Sequence, residues 1–360
     1  MKLQAQVQPY ILNFKFDAGT SRGVLKQKRT WFLKIWEGEK DVLFGIGEAG
    51  PLPGLSIDAI PEFEKKMMDV AQALQNFTLP DLLALNLKEA FSLHAFPSIL
   101  FALETALFDL FNGGKRIIFH NSFAGGEQAI PINGLIWMGA KDFMQEQVKK
   151  KLQEGYSCIK VKIGALDFET ELELLSSVRN SLGAGKIVLR VDANGAFAFP
   201  EAVEKMKRLA EYKVHSIEQP LKVGQYEEMA ALCTLNILPI ALDEDLIGIF
   251  GREDKKRLLE KMKAPYIILK PTLLGGFAET KEWIAIAEEM QIGWWITSAL
   301  ESNIGLNAIA QFTANLPIHG FHQGLGTGLL YTNNLESPLI IKQGKLFYDK
   351  EKKWNLKSVF

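Results

Sequence analysis

Lysines and carboxylates recur along the middle of this chain in one rhythm. Lys160 and Lys162 lie in IKVKIG, Asp192 in LRVDANG, Glu218 in SIEQP, Asp243 in ALDED and Lys270 in ILKP, with Ser298 next in WWITSALES. Each closes a short apolar run. From Lys162 onward they are spaced by roughly 25–30 residues, the length of one strand plus a crossover helix. Residues so spaced hold the same place on successive βα units, and in a parallel barrel that place is the rim where active sites form. Three carboxylates gathered there repel one another unless a cation joins them. Oxygen ligands on rigid strands suit a hard divalent ion such as Mg²⁺, which keeps further positions for water or substrate. Lysines flank the acids on both sides in strand order. Near a dication and near each other they should fall below their ordinary pKa, and a neutral lysine is a base. The chemistry predicted is removal of a weakly acidic proton alpha to a carboxylate, with the metal stabilising the enediolate. Taken singly, a strand-ending Asp reads as a turn or helix cap and a strand Lys as a snorkelling surface residue. Their common phase makes the argument. Spacing does not choose among Asp243, Glu244 and Asp245, since strand alternation lets Asp243 and Asp245 share a face.

The elements that must carry these residues are legible from about residue 130. Apolar runs at 130–137, 158–163, 187–191, 216–218, 240–243, 266–270, 294–297 and, weakly, near Gly320 alternate with helical patterns such as 141–154, 168–182 and 278–290. This alternation predicts a (β/α) barrel, although an open doubly wound sheet shares the pattern. Before it, segments 11–16, 29–37 and 42–48 are strand-like, Pro51-Leu52-Pro53-Gly54 is a loop, and 57–75 and 98–111 have helical spacing. Segment 339–347 reads as strands that return to the N-terminal sheet. The expected organisation is an α+β capping domain over 1–125, a barrel over 126–325 and a segment over 326–360 that rejoins the cap.

The 360 residues suffice for a large domain with a smaller companion. A formal net charge of -1 argues against a nucleic-acid partner and against an anionic membrane. The start, MKLQAQVQPYILNFKF, lacks the apolar run of a secretory signal, and no stretch reaches membrane-spanning length. Cys158 and Cys233 stand in no metal-ligand spacing and read as reduced residues of a cytoplasmic protein. The partner expected is a small-molecule carboxylate. A homo-oligomer is compatible with the chain.

Over nearly its whole length the sequence resembles the muconate-lactonizing subgroup of the enolase superfamily. That subgroup's pattern is Lys-x-Lys on strand two, metal-binding Asp, Glu and Asp on strands three to five, and Lys on strand six. Lys160-Val161-Lys162, Asp192, Glu218, Asp243 and Lys270 match it. The resemblance implies a modified (β/α)7β barrel under an α+β cap and one Mg²⁺ per site, with Mn²⁺ as a substitute. Further strings resemble the subgroup's members that dehydrate 2-succinyl-6-hydroxy-2,4-cyclohexadiene-1-carboxylate. They are Gly47-Glu48, Pro51-Leu52-Pro53-Gly54-Leu55-Ser56, the KPTLLGG of 270–276, the SALES of 298–302 and the GLGTG of 324–328. That resemblance implies Lys162 as the base, Lys270 opposite it as electrostatic support, and Lys160 positioning the carboxylate. It also implies substrate contacts from Arg22, Pro53 and Gly54 of the cap, from Asn194, and from Ser298, Leu300, Glu301 and Ser302 around the succinyl tail. The Asp-x-Asp by which related dipeptide epimerases hold an amine is missing between His319 and Asn333.

Other readings compete. Racemisation of N-succinylamino acids would use Lys162 and Lys270 on opposite faces, alone or as a second activity. A Schiff-base aldolase would use Lys270 as a nucleophile, but leaves the in-phase acids unexplained. A non-catalytic barrel has no tail, repeat or coiled-coil seam to support it. Gly45-x-Gly47-x-x-Gly50 matches a dinucleotide fingerprint, yet Pro51-Leu52-Pro53-Gly54 cannot open the helix it needs. Gly324-x-Gly326-x-Gly328 reads as a turn or a substrate-carboxylate contact. His215, His319 and His322 read as structural. At most one of Trp294 and Trp295 should point into the barrel.

Overall fold

Strand alternation builds the N-terminal layer. The computed structural model describes residues 1–20, 23–182 and 187–360. Strands β1 (Gln4–Thr20), β2 (Gly23–Trp36) and β3 (Phe44–Ala49) form an antiparallel meander. Trp31, Leu33 and Ile35 of β2 are buried against helices α1 (Phe63–Ala73) and α4 (Pro97–Phe111). Phe32, one residue out of step, packs on the other face with Ile46, Ile304 and Leu335. Two short helices, α2 (Leu79–Ala84) and α3 (Leu87–Ala90), lie between α1 and α4. The expected helix over 57–75 begins only at Phe63. Pro61 disfavours helical geometry at the residue before it, and Asp58 instead accepts hydrogen bonds from the backbone and hydroxyl of Ser98, at 2.9 and 2.6 Å.

The glycines of the discounted fingerprint have a packing role. A Cβ at Gly45 would stand 2.0 Å from the carbonyl oxygen of Ala106, and one at Gly47 1.8 Å from that of Ala102. Helix α4 therefore lies directly on β3, and only glycine permits that approach.

Two-residue β4 (Ile130–Pro131) precedes the barrel. The barrel strands are β5 (Gly134–Ile136), β6 (Cys158–Lys162), β7 (Val188–Asp192), β8 (Ser216–Glu218), β9 (Ile240–Leu242), β10 (Tyr266–Leu269) and β11 (Gly293–Ile296). They pair in sequence order, all parallel. Helices α5 (Lys141–Gln153), α6 (Phe168–Leu182), α7 (Phe199–Glu211), α8 (Tyr226–Leu235) and α9 (Arg252–Met262) each follow one strand. Then α10 (Pro271–Leu274) and α11 (Gly276–Glu289) follow β10, and α12 (Asn303–Ala314) follows β11. The eighth position is only a pair of parallel bridges, Ile132 with Gln323 and Thr297 with Gly324. Gln323 N donates to Pro131 O and Gly324 N to Ile296 O, at 2.9 and 2.8 Å, so the wall is joined on both sides. The weak apolar run near Gly320 reflects how short this last piece is.

The tail corrects one expectation. Strands β12 (Leu339–Lys342) and β13 (Lys345–Tyr348) do not join the N-terminal sheet; β13 pairs with β4, Leu346 opposite Ile130. The contacts with the cap come from residues flanking that hairpin. Leu330 O accepts from Lys15 N at 2.8 Å, Asn13 O accepts from Thr332 N at 2.9 Å, and Val359 packs with Phe32.

Candidate active site

Register brings the polar residues together. Lys162 on β6 stands directly beside Asp192 on β7, and Asp192 beside Glu218 on β8. Asp243 and Lys270 directly follow β9 and β10. All are buried, as is Lys160, two residues below Lys162 on the same face of β6. The ammonium of Lys160 bonds to Glu218 and lies 3.0 Å from Asp192 Oδ2. Lys162 Nζ donates to Asp192 Oδ2 at 3.0 Å and to Asn194 Oδ1 at 2.7 Å. Asn194 Nδ2 in turn donates to Glu244 Oε1 at 3.1 Å. Lys270 bonds to Asp243. The three consecutive acids take different partners, Glu244 meeting Asn194. Strand β9 stops at Leu242, and a tight turn over Glu244–Leu246 ends the alternation. Asp245 turns away to Gln219 Nε2 at 2.7 Å, leaving Asp243 for Lys270.

The expected fall in lysine pKa belongs to a site that holds its dication; the carboxylates by themselves act in the opposite direction on Lys160 and Lys270. Burial disfavours the charged form of Lys160 and Lys270, yet the adjoining carboxylates outweigh it and both are held above the ordinary lysine value. Asp192 is pulled well below its ordinary value by Lys160 and Lys162 against the opposing effect of burial. Glu218 is pushed up to about 8 by burial and by the neighbouring Asp192. In this arrangement lysines are the counter-ions of the acids. As the side chains lie, no three His, Cys, Asp or Glu among the described residues are grouped to hold a metal. The donor set itself suits a hard cation. Three carboxylates end adjacent strands, and Glu218 Oε1 is buried without a hydrogen-bond partner.

A cavity of about 560 Å³ opens over this cluster, within the usual range for small-molecule sites. Lys160, Lys162, Asp192, Glu218 and Lys270 all line it. Of the expected substrate contacts, Pro53, Asn194, Ser298 and Leu300 line it too. Gly54 faces a neighbouring cavity that shares Asn194 and Leu55 with the first. Arg22 lies outside the described residues. Glu301 and Ser302 do not reach the cavity. Glu301 accepts from Thr272 Oγ1 and Ala299 N, at 2.5 and 2.8 Å. Ser302 caps α12 and gives its hydroxyl to Glu48 at 2.5 Å. Both are spent on local backbone and on the seam with the cap. Trp295 lies inward, stacked 3.8 Å from the Arg190 guanidinium, while Trp294 joins the core outside the barrel; neither lines the cavity.

Trp137 was missed. It lines the cavity with its ring 5.8 Å from Lys162 Nζ, and Gln147 hydrogen-bonds its backbone N–H and C=O, both at 3.0 Å. It ends the first apolar run about one βα unit before Lys162, so the rhythm pointed to it. A scan for polar residues passes over a tryptophan. Gly324, Gly326 and Thr327 also line the cavity. Among the histidines, His215 stacks on Tyr266, His319 faces Glu288 and His322 bonds to Ser157.

Seven βα units closed by the bridges at Gln323 and Gly324, with acids and lysines on one rim, define a barrel with a polar site at the strand ends. Residues 143–350 match the family model described as enolase C-terminal domain-like. The o-succinylbenzoate synthase of Desulfotalea psychrophila is 47% identical over 93% of this chain and 96% of its own. The crystal structure of MenC from the same organism superposes with a TM-score of 0.84, at 41% identity, covering 96% of this chain and all of that one. The N-succinylamino acid racemase of Thermus thermophilus is 29% identical over 84% of this chain and 79% of its own. The chain belongs to the enolase superfamily, in its o-succinylbenzoate synthase family.

Proposed function

We propose that the protein is a hydro-lyase that dehydrates 2-succinyl-6-hydroxy-2,4-cyclohexadiene-1-carboxylate to o-succinylbenzoate, a step of menaquinone biosynthesis. The observation that carries the chemistry is one cavity lined by Lys162 and Lys270, four strand positions apart across the barrel, with Asp192 and Glu218 between them. Neutral Lys162 takes the proton from the ring carbon bearing the carboxylate, and the C–H pair moves into the enediolate. The Lys162 ammonium then returns that proton to the departing hydroxyl on the same face. Water leaves and the ring becomes aromatic. Lys160 positions the carboxylate, Lys270 faces the opposite side as a fixed positive charge, and Asn194 aims Lys162. Leu52, Pro53 and Leu55 of the cap loop close the cavity against water. Asp192, Glu218 and Asp243 would hold Mg²⁺, or Mn²⁺ in its place, supplying positive charge for the enediolate oxygens. The free cysteines support a cytoplasmic setting, and no described helix is long and apolar enough to cross a membrane.

The test is loss of the cyclohexadiene absorbance with Mg²⁺ and then with EDTA. Rapid loss that stops with EDTA is expected. No loss from folded protein with Mg²⁺ would remove the assignment. The facing lysines also suit a second reading, racemisation of N-succinylamino acids. Exchange of the alpha proton in D₂O from both enantiomers would establish it as a further activity, and exchange from neither would dismiss it.

A further inference from the structure

Leu300 stands where two apolar clusters meet. One contains Leu52 and Leu55 of the cap loop with Leu273 and Ala299; the other contains Phe14 and Phe16 of β1 with Trp137 and Tyr331. Leu300 also lines the catalytic cavity. Its φ is 64°, in the left-handed region that a leucine adopts only when its surroundings hold it there. Two buried donors meet its carbonyl oxygen: Lys28 Nζ at 2.8 Å, from β2, and the Tyr331 hydroxyl at 2.7 Å, from the tail. Lys28 is 3% exposed. Its charge faces Glu48 and Glu301, whose own hydrogen bonds go elsewhere. Glu48 accepts from Thr30, Ser302 and Gly305, and Glu301 from Thr272 and Ala299. Among the described residues, Lys28 Nζ gives its hydrogen bond to Leu300 O.

We propose that Lys28 is a positioning residue of the active site. With Tyr331 it holds Leu300 in its left-handed conformation, and so sets the cavity wall against which the non-reacting arm of the substrate rests. The dehydratase reading supplies only the identity of that arm, the succinyl chain. The cap thus shapes the cavity through a buried cation as well as through the loops that cover it.

Two variants probe this without removing the buried charge. A Cβ added at Gly50 would lie 2.5 Å from Lys28 Nζ and 2.9 Å from Thr30 Oγ1, so Gly50→Ala forces the ammonium aside. Tyr331→Phe removes the second donor. In both, amide exchange of the segment 297–303 should quicken several-fold. KM for the cyclohexadiene substrate should rise about five- to ten-fold with kcat within about two-fold, the sign of lost uniform binding. Lys28→Met should move KM the same way and also lower the melting temperature, since Glu48 and Glu301 lose the cation they face. Wild-type exchange in both Gly50→Ala and Tyr331→Phe would overturn the proposal. So would faster exchange at unchanged KM, or a lower melting temperature as the sole effect. If the wild type fails to dehydrate the substrate, the functional reading falls separately, and the exchange rate of 297–303 still decides whether Lys28 positions Leu300.

Discussion

Lys162 is held as a base must be held. Asp192 and Asn194 take two of its donors, and the ring of Trp137 flanks it. Lys162→Ala should therefore lower kcat by about 10³-fold or more and stop alpha-proton exchange, which NMR in D₂O would follow. Turnover near wild type would take Lys162 out of its role. Asn194→Ala takes away one of these two partners and leaves the ammonium of Lys162 to Asp192. A fall in kcat of about ten-fold is expected, the worth of one hydrogen bond to a charged group; an unchanged kcat would mean that Asn194 does not aim the base. The spacing of polar residues picked out the lysines and acids because each ends a strand. The resemblance implied Glu301 and Ser302 as substrate contacts, yet their side chains turn to Thr272, Ala299 and Glu48, a direction that nearness along the chain to Ser298 does not disclose.

Among the elements, β3 and α4 show how a local string can mislead. Gly45 and Gly47 look like a phosphate-binding turn and instead let a helix rest on a strand. In Gly47→Ala the new methyl meets backbone, which no side-chain motion relieves. Urea unfolding should show a loss of about 3 kcal/mol or more, and a loss under about 0.5 kcal/mol, the level of an ordinary surface change, would show that α4 can move away. Glu48, next along β3, accepts from Ser302 and Gly305 at the start of α12. It thus ties cap to barrel beside the cavity, which its place in a strand-like string did not disclose. The hairpin of β12 and β13 was recognisable as strands, but its partner β4 is two residues long and carries almost no signal of its own.

Taken as one body, the molecule depends on buried carboxylates where the cap meets the barrel. Glu104 of α4 accepts from Phe277 N at 2.5 Å near the start of α11. Burial pushes it from the ordinary 4.5 up to about 7, with Glu279 adding to the rise and Lys281 opposing it. Between those values the folded protein keeps a proton that the unfolded chain has released. Stability contributed by Glu104 is thus full below about pH 4.5, falls as pH rises and levels out above about 7. Asp58, raised by burial to about 6, acts in the same direction. The melting temperature of the metal-free protein should fall between pH 5 and 7.5, and Glu104→Gln should flatten part of that slope. An unchanged slope in the variant would show that Glu104 is not the source.

The alternation of apolar runs and helical segments, with one reactive side chain per repeat, determined the barrel and the catalytic and metal-binding candidates, because strand period and unit length are local properties that a chain displays in order. Tertiary structure decided the rest. It sent Asp243 and Asp245 to different partners by ending β9 just before them, and it gave the lysines carboxylates as counter-ions. It turned Glu301 and Ser302 into the seam with the cap, and it brought Lys28, Leu300 and Tyr331 together. Those outcomes depend on which distant residues share a buried space, where an uncompensated charge or polar group is costly. Nothing in the order of residues along the chain states which partners will meet there.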